Sequence, residues 1–313
     1  MKLNNIELSF DNFASEMAKL KNEKHFDYLV TIIGEDFGEE GLGCIYILEN
    51  TQTNERCSVK TIAKKVDGSD VIPTVINLWK VADLLEREVF DFVGIKFLGH
   101  PDMRRLFLRT DFQGYPLRKD FDMSPDANKF PCTDEPEDDF TMEYSLSEDG
   151  HLVATEKRRF DEDEYVVNIG PNHPSTHGVL RLQTVIDGET VKRIYPHLGY
   201  IHRGIEKMWE SMTYPQTLAL TDRLNYLSAM MHRHALVGVI EEAMGVELSD
   251  RIRYIRTIMD ELQRIDSHLL YLGCTAQDLG ALTAFLYCMR DREHVLNVME
   301  ETTGGRLIQN YYR

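Results

Sequence analysis

The stretch Gly170-Pro171-Asn172-His173-Pro174-Ser175-Thr176-His177-Gly178-Val179-Leu180-Arg181-Leu182 decides how this chain is read. Two prolines and two glycines stiffen the loop that carries its two histidines. Two imidazoles four residues apart on such a loop can divide the work: one anchors the loop, the other faces a cavity. Both can equally cap backbone groups. Just beyond, apolar and β-branched runs at 179–186 and 191–194 flank Asp187-Gly188, which predicts a hairpin closed by a type I′ turn. A short strand at 165–169 precedes the loop.

Downstream of Gly204 the pattern turns helical. Ser249 is placed as an N-cap, its hydroxyl taking an orphan backbone N–H. Ile252, Ile255, Met259, Leu262, Ile265 and Leu269 form one apolar stripe at helical spacing. Residues 278–302 make a further long helix, stopped at Gly304-Gly305. Upstream, the chain reads as mixed α and β. Residues 11–20 suit a short amphipathic helix, and 28–33, 44–48 and 57–63 suit strands, with polar turn material at 51–55. Apolar residues at helical spacing (Val75, Leu78, Val81, Ala82, Leu85) predict a helix over 75–90.

Charge divides the 313 residues into three. The net charge is −17. Residues 1–132 carry 17 basic and 22 acidic side chains, 133–164 carry 3 and 13, and 165–313 carry 15 and 17. The middle segment has little apolar content and reads as a solvated linker. The acidic balance argues against a general nucleic-acid or anionic-membrane binder, since both need a basic footprint. The five cysteines (Cys44, Cys57, Cys132, Cys274 and Cys288) show no C-x-x-C spacing, so no zinc or iron–sulfur frame is expected and reduced thiols are. The start has no apolar signal region, and the most apolar run, 281–289, is too short to span a bilayer.

In the first block the densest signal is Glu86-Arg87-Glu88, then Gly99-His100-Pro101-Asp102, Arg104-Arg105 and Arg118-Lys119-Asp120-Phe121. Interleaved Arg and Asp fit a partner-docking surface, because single surface ion pairs contribute little. An internal loop staple is the alternative, and catalysis a remote third. In the second block Pro196-His197-Leu198-Gly199-Tyr200, Arg203-Gly204-Ile205-Glu206-Lys207, Arg223, Asn225, Tyr226, Ser228 and Asp278 are scattered polar positions whose value lies in their order.

That order resembles a known family. The first block resembles the C-type subunit of NADH-quinone oxidoreductase (respiratory complex I), on Glu86-Arg87-Glu88 and the run from Gly99 to Phe121. The second resembles the D-type subunit of the same enzyme, on the His-Pro-Ser-Thr-His-Gly loop, the Pro196 to Tyr200 motif and Arg203-Gly204-Ile205-Glu206-Lys207. The resemblance implies an α+β chain in which the two are fused: a mixed α/β domain of complex I C type over 1–132, an acidic linker over 133–164, and over 165–313 the N-terminal part of a D-type domain. The last is an incomplete, mainly α domain of nickel–iron hydrogenase large-subunit type with an N-terminal β-hairpin.

The D-type family is related to hydrogenase large subunits, which carry Arg-Gly-x-Glu, about 16 residues, then Arg-x-Cys-Gly-x-Cys. Here Arg203-Gly204-Ile205-Glu206 and Arg223 persist, but Asn225 and Ser228 stand at the cysteine positions, so no thiolate nickel site is expected. In the family the vacated cavity receives a quinone headgroup. The resemblance carries that contact onto His177 and Tyr226, with Asp278, at the start of a later helix, orienting and charging the histidine. Arg203, Glu206, Arg223, Glu86, Arg87, Glu88, His100, Arg104, Arg105, Arg118 and Asp120 are expected in structural or interface roles.

The resemblance implies no cofactor or metal on this chain, quinone as substrate, and a [4Fe-4S] cluster in the adjacent B-type iron–sulfur protein. Further expected partners are the I-type protein and the membrane-arm proteins of a proton-pumping enzyme, with the chain peripheral on the cytoplasmic face of a bacterial membrane. A component of an energy-converting hydrogenase, or a non-catalytic scaffold fragment, are the alternatives. Family D-type chains continue well beyond residue 313, so a break within the D part is expected.

Overall fold

In the computed structural model the described residues are 4–124, 139–161 and 163–312. The chain forms two compact units, Met1–Gly204 and Ile205–Arg313.

The first unit opens with β1 (Asn4–Leu8), α1 (Phe10–Asn22), β2 (Tyr28–Asp36), β3 (Leu42–Asn50) and β4 (Glu55–Ile62). The strands form a sheet in the order β1-β4-β3-β2, parallel only between β1 and β4. Alternation along β3 sends Cys44, Tyr46 and Leu48 inward, against Phe13, Met17 and Leu20 of α1. The expected strands and first helix are therefore present, each somewhat longer than the apolar run that announced it.

A second sheet contains β5 (Lys64–Val66), β6 (Ser69–Pro73), β7 (Lys96–Leu98), β8 (Phe140–Leu146) and β9 (Leu152–Arg158), in that order, with α2 (Ala82–Val93) between β6 and β7. Two expectations are corrected here. The helix expected over 75–90 begins at Ala82, because the backbone entering it is tied down by a side chain: Glu86 accepts the Val75 N–H at 2.8 Å and bonds the Thr74 hydroxyl at 2.6 Å. The acidic segment expected as a linker contains β8 and β9 in its described part; its residues 133–138 and 162 lie outside the described residues, as do 125–132 with Cys132. These two strands pair antiparallel, and Gly99 and Met103 donate their N–H groups to Tyr144 and Met142 at 2.8 Å each. The strands of 140–158 carry no hydrophobic alternation to announce them, since β9 is exposed along nearly its whole length.

The unit ends with β10 (Tyr165–Ile169), a short ribbon of β11 (Asn172–His173) and β12 (Gly178–Val179), and the hairpin β13 (Arg181–Asp187) and β14 (Thr190–His197). β10, β13 and β14 form an antiparallel sheet. Asp187 pairs with Thr190, so the loop is Gly188-Glu189, and of these only Gly188 (φ 61°) has positive φ. The expected hairpin is present, but the turn is not type I′, which needs two positive φ values. Arg159 reaches from the end of β9 to Gln183 Oε1 at 3.1 Å. Residues 165–204 cluster with the first compact unit.

The second unit is helical: α3 (Ile205–Trp209), α4 (Tyr214–Thr221), α5 (Ala229–Met244), α6 (Asp250–Asp278) and α7 (Leu282–Thr303). Ser249 stands at the N-cap of α6 as expected, though its side chain makes no capping bond. The buried face of α6 runs through Arg256, Met259, Gln263, Asp266 and Gly273, while Ile252 and Ile265 are exposed. Met259 of the expected apolar stripe is buried and Ile255 and Leu262 pack against the core, but the buried positions beside it are Arg256, Gln263 and Asp266. Arg256 forms a two-pronged pair with Glu241 at 2.7 Å, and Tyr312 donates to Asp260 at 2.8 Å. The apolar core is small, built on Met230, Val237, Met259, Leu296 and Met299 with Tyr312. Among the described residues no helix is long and apolar enough to cross a membrane.

Candidate functional site

The histidine loop is a turn built almost entirely from its own atoms. His173 pairs with Gly178 across the ribbon, and residues 174–176 form a single 3-10 turn. His173 Nδ1 accepts the Ser175 N–H at 3.2 Å, and the Thr176 hydroxyl donates to the His173 carbonyl at 2.8 Å. His173 is therefore the anchoring imidazole. His177 caps the turn in the left-handed region (φ 49°), donates its N–H to the Pro174 carbonyl at 3.3 Å, and is exposed. A non-glycine residue held at positive φ is uncommon and marks a constrained position. Gly170 (φ 90°) sets the base of the ribbon, where a Cβ would lie 1.9 Å from the Leu180 carbonyl oxygen.

Tyr226 lies in the loop between α4 and α5, and 55% of its surface is exposed. The loop around it is tied at several points. Asp222, 1% exposed, accepts from Arg233 at 3.2 Å and from the Asn310 N–H at 2.8 Å. Asn225 Oδ1 accepts the Leu227 N–H at 3.1 Å, and Ser228 Oγ lies 3.0 Å from His232 Nδ1. Asn225 and Ser228 thus contribute an amide and a hydroxyl engaged in holding the loop. Arg223 donates to the Ala219 carbonyl, while Arg203 and Glu206 are exposed beside α3.

Asp278 is the last residue of α6, exposed, three residues before Ala281 caps α7. The expectation that it opens a helix is corrected: Leu279-Gly280-Ala281 interrupts the helical run, with Gly280 at φ 86°. A carboxylate at a helix C-terminus opposes the helix dipole, so helix stability does not account for it there.

The first-block constellation turns out to be internal. Glu86, His100 and Asp91 have no exposed surface, and Arg87 and Arg104 are buried. Arg87 donates to the carbonyls of Arg104 and Arg105 at 3.1 Å each. Asp91 Oδ2 accepts three consecutive backbone N–H groups, from Leu106, Phe107 and Leu108, at 2.7–3.0 Å, and Oδ1 accepts from Arg105 at 2.9 Å. Arg118 donates to the Val93 carbonyl at 2.6 Å. The docking-surface reading of these arginines is therefore corrected in favour of the loop staple. A chain forced through tight turns leaves backbone groups that helices and strands cannot satisfy, and buried guanidinium and carboxylate groups satisfy them. Glu88 is half-buried and Asp120 exposed.

Burial pushes the Glu86 carboxyl up to about 8 against the two hydrogen bonds that favour its charged form. Burial likewise lowers the His100 imidazole. Its Nδ1 accepts the Asp102 N–H at 3.0 Å, so the proton sits on Nε2, facing the Asp83 carbonyl at 3.2 Å. Burial raises Asp102, but the paired bonds from Arg104 and the charges of Arg104 and Arg87 outweigh it and hold that carboxyl well below the usual range.

Within the first unit the two sets of signature residues meet. Gly199 (φ 101°) passes so close to Phe107 that a Cβ would lie 2.0 Å from the Phe107 oxygen. A polar cleft of about 520 Å³ there is lined by Arg105 to Thr110 on one side and by Asn168, Arg181, Gln183 and His197 to Tyr200 on the other. Sequence reasoning did not find Asp91 or Gln263. Asp91 carried a signal, a second buried carboxylate on α2 five residues after Glu86.

A chain that joins a mixed α/β unit to helices bearing a pinned tyrosine loop has the order of two proteins in one polypeptide. The family model described as "Respiratory-chain NADH dehydrogenase, 30 Kd subunit" matches residues 6–127, and that of the 49 Kd subunit matches residues 278–313. The chain is 56% identical over 306 residues to the NADH-quinone oxidoreductase C/D subunit of Phocaeicola vulgatus, covering 98% of this chain and 58% of that protein. It is 55% identical to the C/D subunit of Bacteroides thetaiotaomicron, covering 95% of this chain and 57% of that protein. It is 40% identical to the second C/D subunit of Aquifex aeolicus, covering 98% and 54%. The chain belongs to the fused C/D subunit family of NADH-quinone oxidoreductase, respiratory complex I. It spans between half and three fifths of the length of these relatives.

Proposed function

We propose that this chain is a peripheral-arm subunit of a bacterial NADH-quinone oxidoreductase and supplies His177 and Tyr226 to the quinone headgroup, with Asp278 orienting the histidine. One observation carries the reading: the backbone at both side chains is pinned by local hydrogen bonds while the side chains stay exposed. Residues held that way are presented to something. Two-electron reduction builds negative charge on two quinone carbonyl oxygens, and the quinol needs two protons. A phenol O–H donates to one oxygen at physiological pH. An imidazole titrates near neutrality and can donate to the other, and a carboxylate beside it would fix its tautomer.

Electrons would arrive from an iron–sulfur cluster in the neighbouring B-type protein, and membrane-arm proteins would couple the reaction to cation translocation. The test is quinone reductase activity of the assembled complex carrying Tyr226→Phe or His177→Ala, with assembly measured by co-purification. Activity should fall at least about tenfold in each, as loss of a positioned donor or proton-transfer group does. Normal turnover in both would sink the assignment.

A further inference from the structure

Besides the ties already described, a buried amide reaches the Tyr226 loop from α6. Gln263, in the middle of α6, is 1% exposed. Its Nε2 donates to the Leu227 carbonyl at 3.1 Å and to Asp266 Oδ2 at 3.3 Å. Both partners are acceptors, so the amide must turn its NH2 toward them. Asp266, also 1% exposed, is in turn held by Arg292 of α7, whose Nη2 donates to Oδ2 at 3.2 Å and whose Nε lies 2.8 Å from Oδ1. The series runs from α7 through α6 and ends one peptide unit from Tyr226. With Asn225 taking the Leu227 N–H, both polar groups of that residue are claimed.

Packing does not call for this arrangement. A buried polar group costs stability unless it is paired, and an aliphatic side chain at 263 would extend the small apolar core around Met259. Gln263 keeps one oxygen, Oε1, without a partner among the described residues, so the amide is there for its N–H groups. A loop carrying exposed side chains is otherwise the part of a helical unit most free to shift, and a donor misplaced by about 1 Å loses much of its catalytic value.

We infer that Gln263, oriented by Asp266 and Arg292, is a positioning residue for Tyr226, fixing the phenol through the Leu227 carbonyl. The inference rests on the quinone-site reading above. The test uses the assembled complex with Gln263→Leu, Gln263→Glu, Tyr226→Phe and the double variant Tyr226→Phe with Gln263→Leu. Turnover is followed with short-chain ubiquinone and menaquinone analogues, and assembly by co-purification.

Gln263→Leu should assemble and lose roughly tenfold in kcat/KM, but cost less than about twofold when Tyr226 is already Phe, because coupled residues are not additive. Gln263→Glu should regain activity relative to wild type as pH falls, since only the protonated acid restores a donor to the Leu227 carbonyl. A full additional loss in the double variant, or unchanged turnover in Gln263→Leu, overturns the positioning role while leaving the quinone site standing. Normal turnover in Tyr226→Phe instead overturns the role of Tyr226 in the quinone site, on which the inference rests. If Gln263→Leu does not assemble, the isosteric Gln263→Glu decides: a pH profile parallel to wild type overturns the inference.

Discussion

Glu86 makes the folded protein a proton acceptor in the neutral range, and this can be measured. Its carboxyl is fully buried and its pKa moves from the ordinary 4.5 to about 8 on folding. The folded state therefore binds a proton that the unfolded chain has already released above pH 4.5. Stability from this group is complete below the unfolded value and is lost as pH rises toward 8. One pKa unit corresponds to about 1.4 kcal/mol, so the loss between pH 5.5 and 7.5 comes to about 2 to 3 kcal/mol. Glu86→Gln keeps the shape and the acceptor for the Val75 N–H but carries no titrating proton.

Buried His100 titrates in the same window with the opposite sign. Its lowered pKa means that stability is gained as pH rises through the unfolded value near 6.5. The difference between wild type and variant reports Glu86 together with its coupling to His100, whose Nε2 lies 4.0 Å from Glu86 Oε2. Urea unfolding of the full chain in a Trp209→Phe background, followed by fluorescence of the buried Trp79, should show the variant gaining about 2 to 3 kcal/mol on wild type between pH 5.5 and 7.5. Equal pH slopes in the two proteins would refute a neutral, buried Glu86.

Two further outcomes follow from backbone groups satisfied at a distance. Asp91→Asn should destabilise the first unit by about 2 to 3 kcal/mol, because Asp91 serves Arg105 and three consecutive N–H groups and an amide keeps only one acceptor oxygen; a change below about 0.5 kcal/mol in urea unfolding would count against the staple. Gly170→Ala should cost at least about 2 kcal/mol, since alanine meets both a positive φ and the Leu180 oxygen. Wild-type protease resistance around residues 170–182 in that variant would show that the ribbon does not need the close approach.

Much of the first unit was legible because 28–33 and 44–48 are short apolar, β-branched runs; burial alternates cleanly along 42–50, while 28–36 is bulged between Leu29 and Thr31. Strands 140–146 and 152–158 were not legible, since an edge strand exposed along nearly its whole length, as β9 is, can carry enough charge to resemble a linker. The arginines at 87, 104 and 105 misled for a related reason. Charge in a sequence suggests surface, yet irregular turns bring backbone carbonyls inward, and only a long donor-rich side chain reaches them. In α6 the apolar positions gave the helix and, through Ile255, Met259 and Leu262, part of its inward face; buried Arg256, Gln263 and Asp266 make up the rest. The candidate site residues were reached through motif order, and nothing in spacing alone separated His177 from His173. Their roles in the turn did.

The polar interior of residues 205–312 has a thermodynamic consequence. Exposure of apolar surface raises the heat capacity on unfolding and exposure of polar surface lowers it. A helical unit whose inward positions include Asp222, Arg233, Arg256, Gln263, Asp266 and Gln309 therefore unfolds with a smaller heat-capacity increment per residue than the apolar sandwich of α1 and β3. Its stability curve is correspondingly flatter with temperature.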